Sequence, residues 1–307
     1  KRVHHRISRK PLVVLSSGKN DQGITMNIGP YTISTFDTGD FALDGGAMFG
    51  VVPKTLWSKA YHSGDEFNRI DMTSRSLLIR GNGKTILIDT GCGHKMSEKL
   101  EKIYRVDYSR ASVNQSLQLH GVTPEDITDV ILTHLHFDHV GGATTAMPSG
   151  EIVPTFPNAM YHVQKEQLQW AQSPTDKDRA SFMPENWDPL IANGMLNLIE
   201  GDGVLFEGIR VQRVYGHTCG LQVIHVEDKQ HHIVFPADLI PTGAHIPVPY
   251  VMGYDNFPLT SMEEKQDLLM QAAEQDWIIC FEHDAFTIAG TVKRTDKGFA
   301  LEQSVSI

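Results

Sequence analysis

Four metal-capable side chains crowd into one short run, Thr133-His134-Leu135-His136-Phe137-Asp138-His139, directly after the apolar stretch Val130-Ile131-Leu132. Ordering a histidine beside an apolar strand costs hydration, and a buried carboxylate needs a compensating charge. A pair of divalent cations supplies both, with His134 and His136 turned to one ion and Asp138 and His139 to the other. A solvated His-rich loop is the alternative. Gly141-Gly142 follow the motif at once, and more residues of ligand type appear downstream, which argues against it.

Those residues are His217 in Tyr215-Gly216-His217-Thr218, Asp238 in Phe235-Pro236-Ala237-Asp238, and His283 in Cys280-Phe281-Glu282-His283. Each stands just past an apolar stretch, and in α/β sheets reactive residues gather at the carboxyl ends of strands. A lone histidine at such a place is commonly structural, but so many coincidences together are not. Five His and two Asp suit borderline cations, Zn²⁺ first, with Mn²⁺, Fe²⁺ and Co²⁺ as alternatives. The Asp238 carboxylate is placed to bridge two ions.

This ordered set, His134, His136, Asp138, His139, His217, Asp238 and His283, resembles the dinuclear hydrolases of the metallo-β-lactamase superfamily. The resemblance implies that Asp89, in Ile86-Leu87-Ile88-Asp89-Thr90-Gly91, is the acidic residue the family keeps at an early strand end, supporting the ligands. A turn or cap aspartate is the competing reading. Asp238 stands where β-lactamases of the Cys-ligand type use Cys, which disfavours that activity.

The 307 residues carry a net charge of −10, so no broad attraction to nucleic acid is expected, which counts against the superfamily's nuclease branches. Cys92, Cys219 and Cys280 lie too far apart in sequence to form a disulfide framework and fit a reducing, cytoplasmic setting. Cys219, two residues past His217, is either a further ligand or a small buried residue. Apolar runs such as Pro11 to Leu15 are too short to span a bilayer, so no membrane partner is expected. Residues 1–20 hold six Lys and Arg and no acid, and are expected to form a mobile arm ahead of one domain over 21–307. The chain does not begin with Met, so a secreted or periplasmic location after loss of a signal peptide stays open.

Periodicity supplies the elements. Tyr31 to Phe36 alternates like a strand. Ser76–Arg80 and Thr85–Asp89 form a hairpin about Gly81-Asn82-Gly83. Ser112 to Leu119 is helical and stops at Gly121. Thr123-Pro124-Glu125-Asp126 has the chemistry of a helix start, and a strand over 128–133 delivers the motif. Further strands are expected around 159–163, 210–214, 222–226 and 231–235, with helices near 164–171 and 261–275. Ser261-Met262-Glu263-Glu264 caps the last of these, and Met262, Leu268, Leu269, Ala272 and Ala273 form its buried face. Two mixed β/α halves imply two sheets packed face to face with helices outside, a four-layer αβ/βα sandwich of the α/β class. The family fold is the same, with a dinuclear metal site in the cleft between the sheets.

Residues 37–61 are Gly-rich, apolar and without period. They are expected to be loop, either covering core, lining the substrate cleft or making a homodimer contact. As a cleft wall, Met48, Phe49 and Trp57 would receive an acyl or aromatic group. This stretch, Ala237 to Thr242 with Ala244-His245, and Tyr254-Asp255 with Phe257-Pro258 resemble the YtnP-like branch of quorum-quenching lactonases, over about residues 27–290. The resemblance implies N-acyl-homoserine lactone as the small-molecule substrate, opened by a hydroxide held between two cations about 3.5–4 Å apart. Asp138 would shuttle the proton to the leaving alkoxide, and Phe137 would border the substrate. Better-known lactonases of this kind place a carbonyl-polarising Tyr three residues after the bridging Asp. Here that residue is Pro241, which leaves His245 and Tyr254 as candidates for the role. An organophosphate or aryl-ester hydrolase is the nearest rival. A di-iron redox protein, which would carry Glu at position 136 and a flavin domain, and a non-catalytic metal-binding module are the rivals of another class.

Overall fold

In the computed structural model, residues 24–307 are described, and the basic arm expected over 1–20 lies outside them. Two seven-stranded sheets carry the architecture. The first orders Met26–Ile28, Tyr31–Asp44, Arg69–Gly81, Lys84–Ile88, Asp129–Ile131, Met160–Gln164 and Leu196–Ile199. The second orders Gly203–Phe206, Ile209–Val214, Leu221–Glu227, His232–Phe235, Ile278–Cys280, Ala289–Thr295 and Gly298–Val305. Lys84–Ile88, Asp129–Ile131, Met160–Gln164 and Leu196–Ile199 run parallel, as do His232–Phe235 and Ile278–Cys280; the other pairs are antiparallel.

The period-two alternation of side chains sorts the layers. Leu77, Ile79, Ile86, Ile88 and Ile131 enter one buried cluster with Val211, Ile224 and Ile233, which register places together on one face of the second sheet. Their neighbours Leu78, Leu87, Val130 and Leu132 face the other way, against Val113 and Leu117 of helix Val113–Leu119 and Leu168 of helix Lys165–Gln172. Helix Pro258–Gln275 covers the second sheet with Leu268, Leu269 and Ala272. Helix, sheet, sheet, helix is the expected four-layer sandwich.

The hairpin turn falls at Asn82-Gly83, both at positive φ (51° and 72°), as a type I′ turn requires. Its first strand begins at Arg69, seven residues before the alternation is visible, because Met72 to Leu78 are buried on both faces. Residues 37–61 are not the loop expected. The strand from Tyr31 runs to Asp44 and pairs along its whole length with Arg69–Gly81, through an irregularity between Asp37 and Gly39 that breaks the alternation. Helices Gly45–Phe49 and Lys54–Ala60 follow, the first capped by Asp44, whose side chain accepts the Ala47 N–H at 2.8 Å.

The last long helix starts at Pro258, three residues before the expected cap, since proline suits the first helical position. Glu264 therefore makes no capping box and instead accepts the N–H groups of Tyr215 (2.7 Å) and Gly216 (3.0 Å). Of its expected buried face, Met262 and Ala273 are only half-buried, and Lys265 is buried in their place. Thr123-Pro124 opens only a single 3₁₀ turn, Pro124–Asp126, because the strand begins at Asp129.

Candidate metal centre

Every expected ligand follows the carboxyl end of a strand, and all the ends open on one edge of the sandwich. His134 to His139 follow Asp129–Ile131, His217 follows Ile209–Val214, Asp238 follows His232–Phe235, and His283 follows Ile278–Cys280. The last loop is tied across to the first sheet. The buried Arg75 guanidinium donates to the carbonyls of Phe281 (2.7 Å) and Asp284 (2.9 Å) and pairs with Asp37 at 3.1 Å. Gly216 is needed beside His217, since a Cβ there would stand 2.3 Å from the Ser261 nitrogen.

The seven side chains gather into two groups with a shared member. His134 Nε2 and His217 Nε2 lie 3.0 and 3.1 Å from His136 Nδ1, and His217 Nε2 is 3.2 Å from Asp238 Oδ2. On the other side, His283 Nε2 lies 3.1 Å from His139 Nε2 and 3.1 Å from Asp238 Oδ1, with Asp138 Oδ2 at 3.7 Å from His283 and 3.9 Å from His139. One oxygen of Asp238 therefore faces each group.

An outer ring of acceptors fixes which nitrogen of each histidine points inward. The Nδ1–H of His139 donates to Asp89 Oδ2 (3.1 Å), that of His217 to Asp255 Oδ1 (2.9 Å), and that of His283 to the Thr73 carbonyl (3.0 Å). The Thr133 hydroxyl donates to Asp89 at 2.5 Å, so its oxygen accepts from His134 Nδ1 at 3.1 Å. Each of these four histidines then aims a bare Nε2 lone pair at the cluster. Lone pairs about 3 Å apart repel unless positive charge lies among them. The Asp238 Oδ1 atom, buried and without a hydrogen-bond donor, has the same need. This donor set suits divalent cations.

The electrostatics agree. Burial, and then the neighbouring histidines, hold His134 and His136 well below the usual imidazole range, as neutral ligands must be. Burial also acts to lower His139 and His283, but carboxylates outweigh it. Glu282, Asp238 and Asp138 hold His139 well above its usual range, and Asp238 raises His283 to about 9. The acidic side of the cluster thus draws in positive charge, which a metal ion supplies equally well.

Asp89 sits at the strand end with φ 54°, a backbone aspartate tolerates, and its contacts are those of a ligand support. Two carboxylates beside the ligands were not among the expected site residues. Asp255 reaches His217 from a loop 38 residues away. Glu282, fully buried, places Oε2 at 3.1 Å from His139 Nδ1. Cys219 stands outside the ligand groups and accepts from Gln167 through its carbonyl.

The expected cleft wall is corrected by the structure. Met48, Phe49 and Trp57 are fully buried in a separate cluster with Phe41, Ile70 and Met72, so none offers surface to a substrate. Helix formation turns them inward. Phe49 stacks on Trp57 at 5.3 Å and on His245 at 4.5 Å. His245 is excluded as a substrate donor for a related reason: its Nε2 pairs with the Met48 carbonyl (2.8 Å) and its Nδ1 with Thr242 (2.7 Å). Tyr254, by contrast, is partly exposed. Phe137 is buried under Tyr104, ring centroids 4.8 Å apart, and Phe182 meets His136 edge-on at 4.7 Å.

The fold and the paired ligand groups are of the metallo-β-lactamase type, and the superfamily's sequence model matches residues 70–283. The chain belongs to the metallo-β-lactamase superfamily. It is 27% identical to an N-acyl homoserine lactonase of a Bacillus species over 168 residues, 53% of this chain and 58% of that one. It is 23% identical to the N-acyl homoserine lactonase AiiB of Agrobacterium fabrum over 247 residues, 74% of this chain and 85% of that one. The chain thus spans little more than half the length of the Bacillus relative. Among solved structures, a probable metal-dependent hydrolase from Staphylococcus aureus superposes with a TM-score of 0.80 at 31% identity, covering 91% of this chain and 100% of that one. The dizinc quorum-quenching lactonase AidC superposes with a TM-score of 0.77 at 21% identity, covering 94% and 100%, and shows the fold. Among the described residues no helix is long and apolar enough to cross a membrane.

Proposed function

We propose that this protein binds two zinc ions and opens the lactone ring of N-acyl-homoserine lactones. The observation that carries the dinuclear part is Asp238, whose two oxygens face two separate ligand groups at 3.1–3.2 Å. His134, His136 and His217 would hold one ion, Asp138, His139 and His283 the other, and Asp238 both. When bound, the ions supply Lewis acidity and activate water at neutral pH. The lactone part is supported by the lactonases among the relatives.

The chain's own contribution is placement and proton handling. Asp89, Asp255 and Thr73 hold the imidazoles in the tautomer that binds. Asp138 accepts no hydrogen bond from the described residues and stands 3.7 Å from His283 and 3.9 Å from His139. It takes the proton of the attacking water and returns it to the alkoxide as the ring C–O bond breaks. Proton and charge then balance, leaving the hydroxy acid.

Two measurements test this. Elemental analysis of protein purified without added metal should give close to two equivalents, and one equivalent with full activity would overturn the dinuclear assignment. Turnover of N-hexanoyl-homoserine lactone beside a phosphotriester should favour the lactone. The reverse preference would replace the substrate class while keeping the site.

A further inference from the structure

Tyr104 is the last residue of helix Glu98–Tyr104. Its ring lies almost parallel to Phe137, 21° between planes, and Phe137 immediately precedes Asp138. The chain on either side is pinned: Arg69 donates to the carbonyls of Lys102 (3.1 Å) and Ile103 (3.3 Å), and Arg105 pairs with Asp71. The ring is therefore held in place. Its hydroxyl nevertheless makes no hydrogen bond with any described residue. Burial, then the Asp138 carboxylate, then Cys92 raise its pKa, so the phenol keeps its proton across the working range and stays a donor.

The other donors near the cluster are used or unsuited. Both ring nitrogens of His245 are occupied. Pro241 carries none. Lys177 is engaged by the Tyr254 carbonyl at 2.7 Å. The Tyr254 hydroxyl is also free and also feels Asp138 and Tyr104, but its ring has no aromatic partner among the described residues to hold it.

We infer that Tyr104 donates a hydrogen bond to the scissile carbonyl oxygen of the bound substrate, held for that purpose on Phe137 beside Asp138. The inference rests on the reading of the site as a carbonyl-ester hydrolase. Tyr104 keeps its proton throughout. Its O–H···O bond strengthens as the carbonyl oxygen gains charge, so its contribution is larger in the transition state than in the ground state.

The test uses Tyr104→Phe in the metal-loaded protein, which retains the ring and deletes the donor. With N-hexanoyl-homoserine lactone, kcat should fall at least about tenfold with KM changed less than threefold, the signature of a transition-state contact. Metal content and melting temperature should stay as in the parent. The ring-opened acid, N-hexanoyl-homoserine, titrated calorimetrically, should bind at least about threefold more weakly. Tyr254→Phe should lose less on both measures. An unchanged kcat, an equal or larger loss in Tyr254→Phe, or a fall in metal content or melting temperature would overturn the assignment, the last by making Tyr104 a structural prop. If the parent protein does not turn over the lactone at all, the proposed function fails separately. Weaker binding of the acid by the variant would then still support Tyr104 as donor, and equal binding would overturn it.

Discussion

At the scale of single residues, an imidazole binds metal only if something else decides where its proton sits. Here Asp89 and Asp255 decide for His139 and His217. Asp255→Ala should let His217 swing and lower metal affinity about 10–100-fold, read by competition with a chelator of known strength. Unchanged affinity would show that packing alone orients the ring. Asp138→Asn is expected to keep the fold and lose at least about 10²-fold in turnover, with metal content measured in parallel because Asp138 is also a proposed ligand. Residues of the inner group were legible because four fall in one motif and the rest at strand ends. The supporting contacts of Asp255 and Glu282 were not, because each carboxylate meets an imidazole far from it in sequence, His217 and His139 respectively.

At the scale of elements, the segment after Tyr31 shows what periodicity can and cannot say. Alternation is readable in Tyr31 to Phe36, where the two faces meet different surroundings, and lost where Phe41 and Ala42 are both buried. The hairpin at Asn82-Gly83 was legible because the turn type demands those residues. The C-terminal pair Ala289–Thr295 and Gly298–Val305 was not, since much of its second strand is exposed or half-buried and gives weak alternation. Helix Gly45–Phe49 packs as core, so Phe49→Ala should destabilise by about 3–5 kcal/mol, seen as a lower denaturation midpoint. Its effect on kcat/KM should not depend on acyl-chain length. A loss confined to long-chain lactones would restore Phe49 as a substrate contact.

At the scale of the whole molecule, pH acts far from the cluster as well. Burial pushes the Asp129 carboxyl up, but hydrogen bonds from His162, Lys84 and Thr128 outweigh it and bring it to about 2, against an ordinary 3.8. A depressed carboxyl stabilises above its unfolded value, so this contribution is complete above about pH 4 and is lost as pH falls towards 2. Asp129→Asn should cost up to about 2 kcal/mol at neutral pH and flatten the acid limb of the stability curve between those limits. An unaltered limb would assign acid unfolding elsewhere. The order of the ligands along the chain has a consequence for how the protein is made. His217 follows His136 by 81 residues and His283 follows His139 by 144. A ribosome releases the His134 to His139 run long before either partner, when it can only be a loose, unselective chelator. Each ligand group closes only after a histidine from the second sheet arrives. Under the proposed function, the choice among competing metals rests on the finished geometry and not on whichever ion the nascent chain meets first.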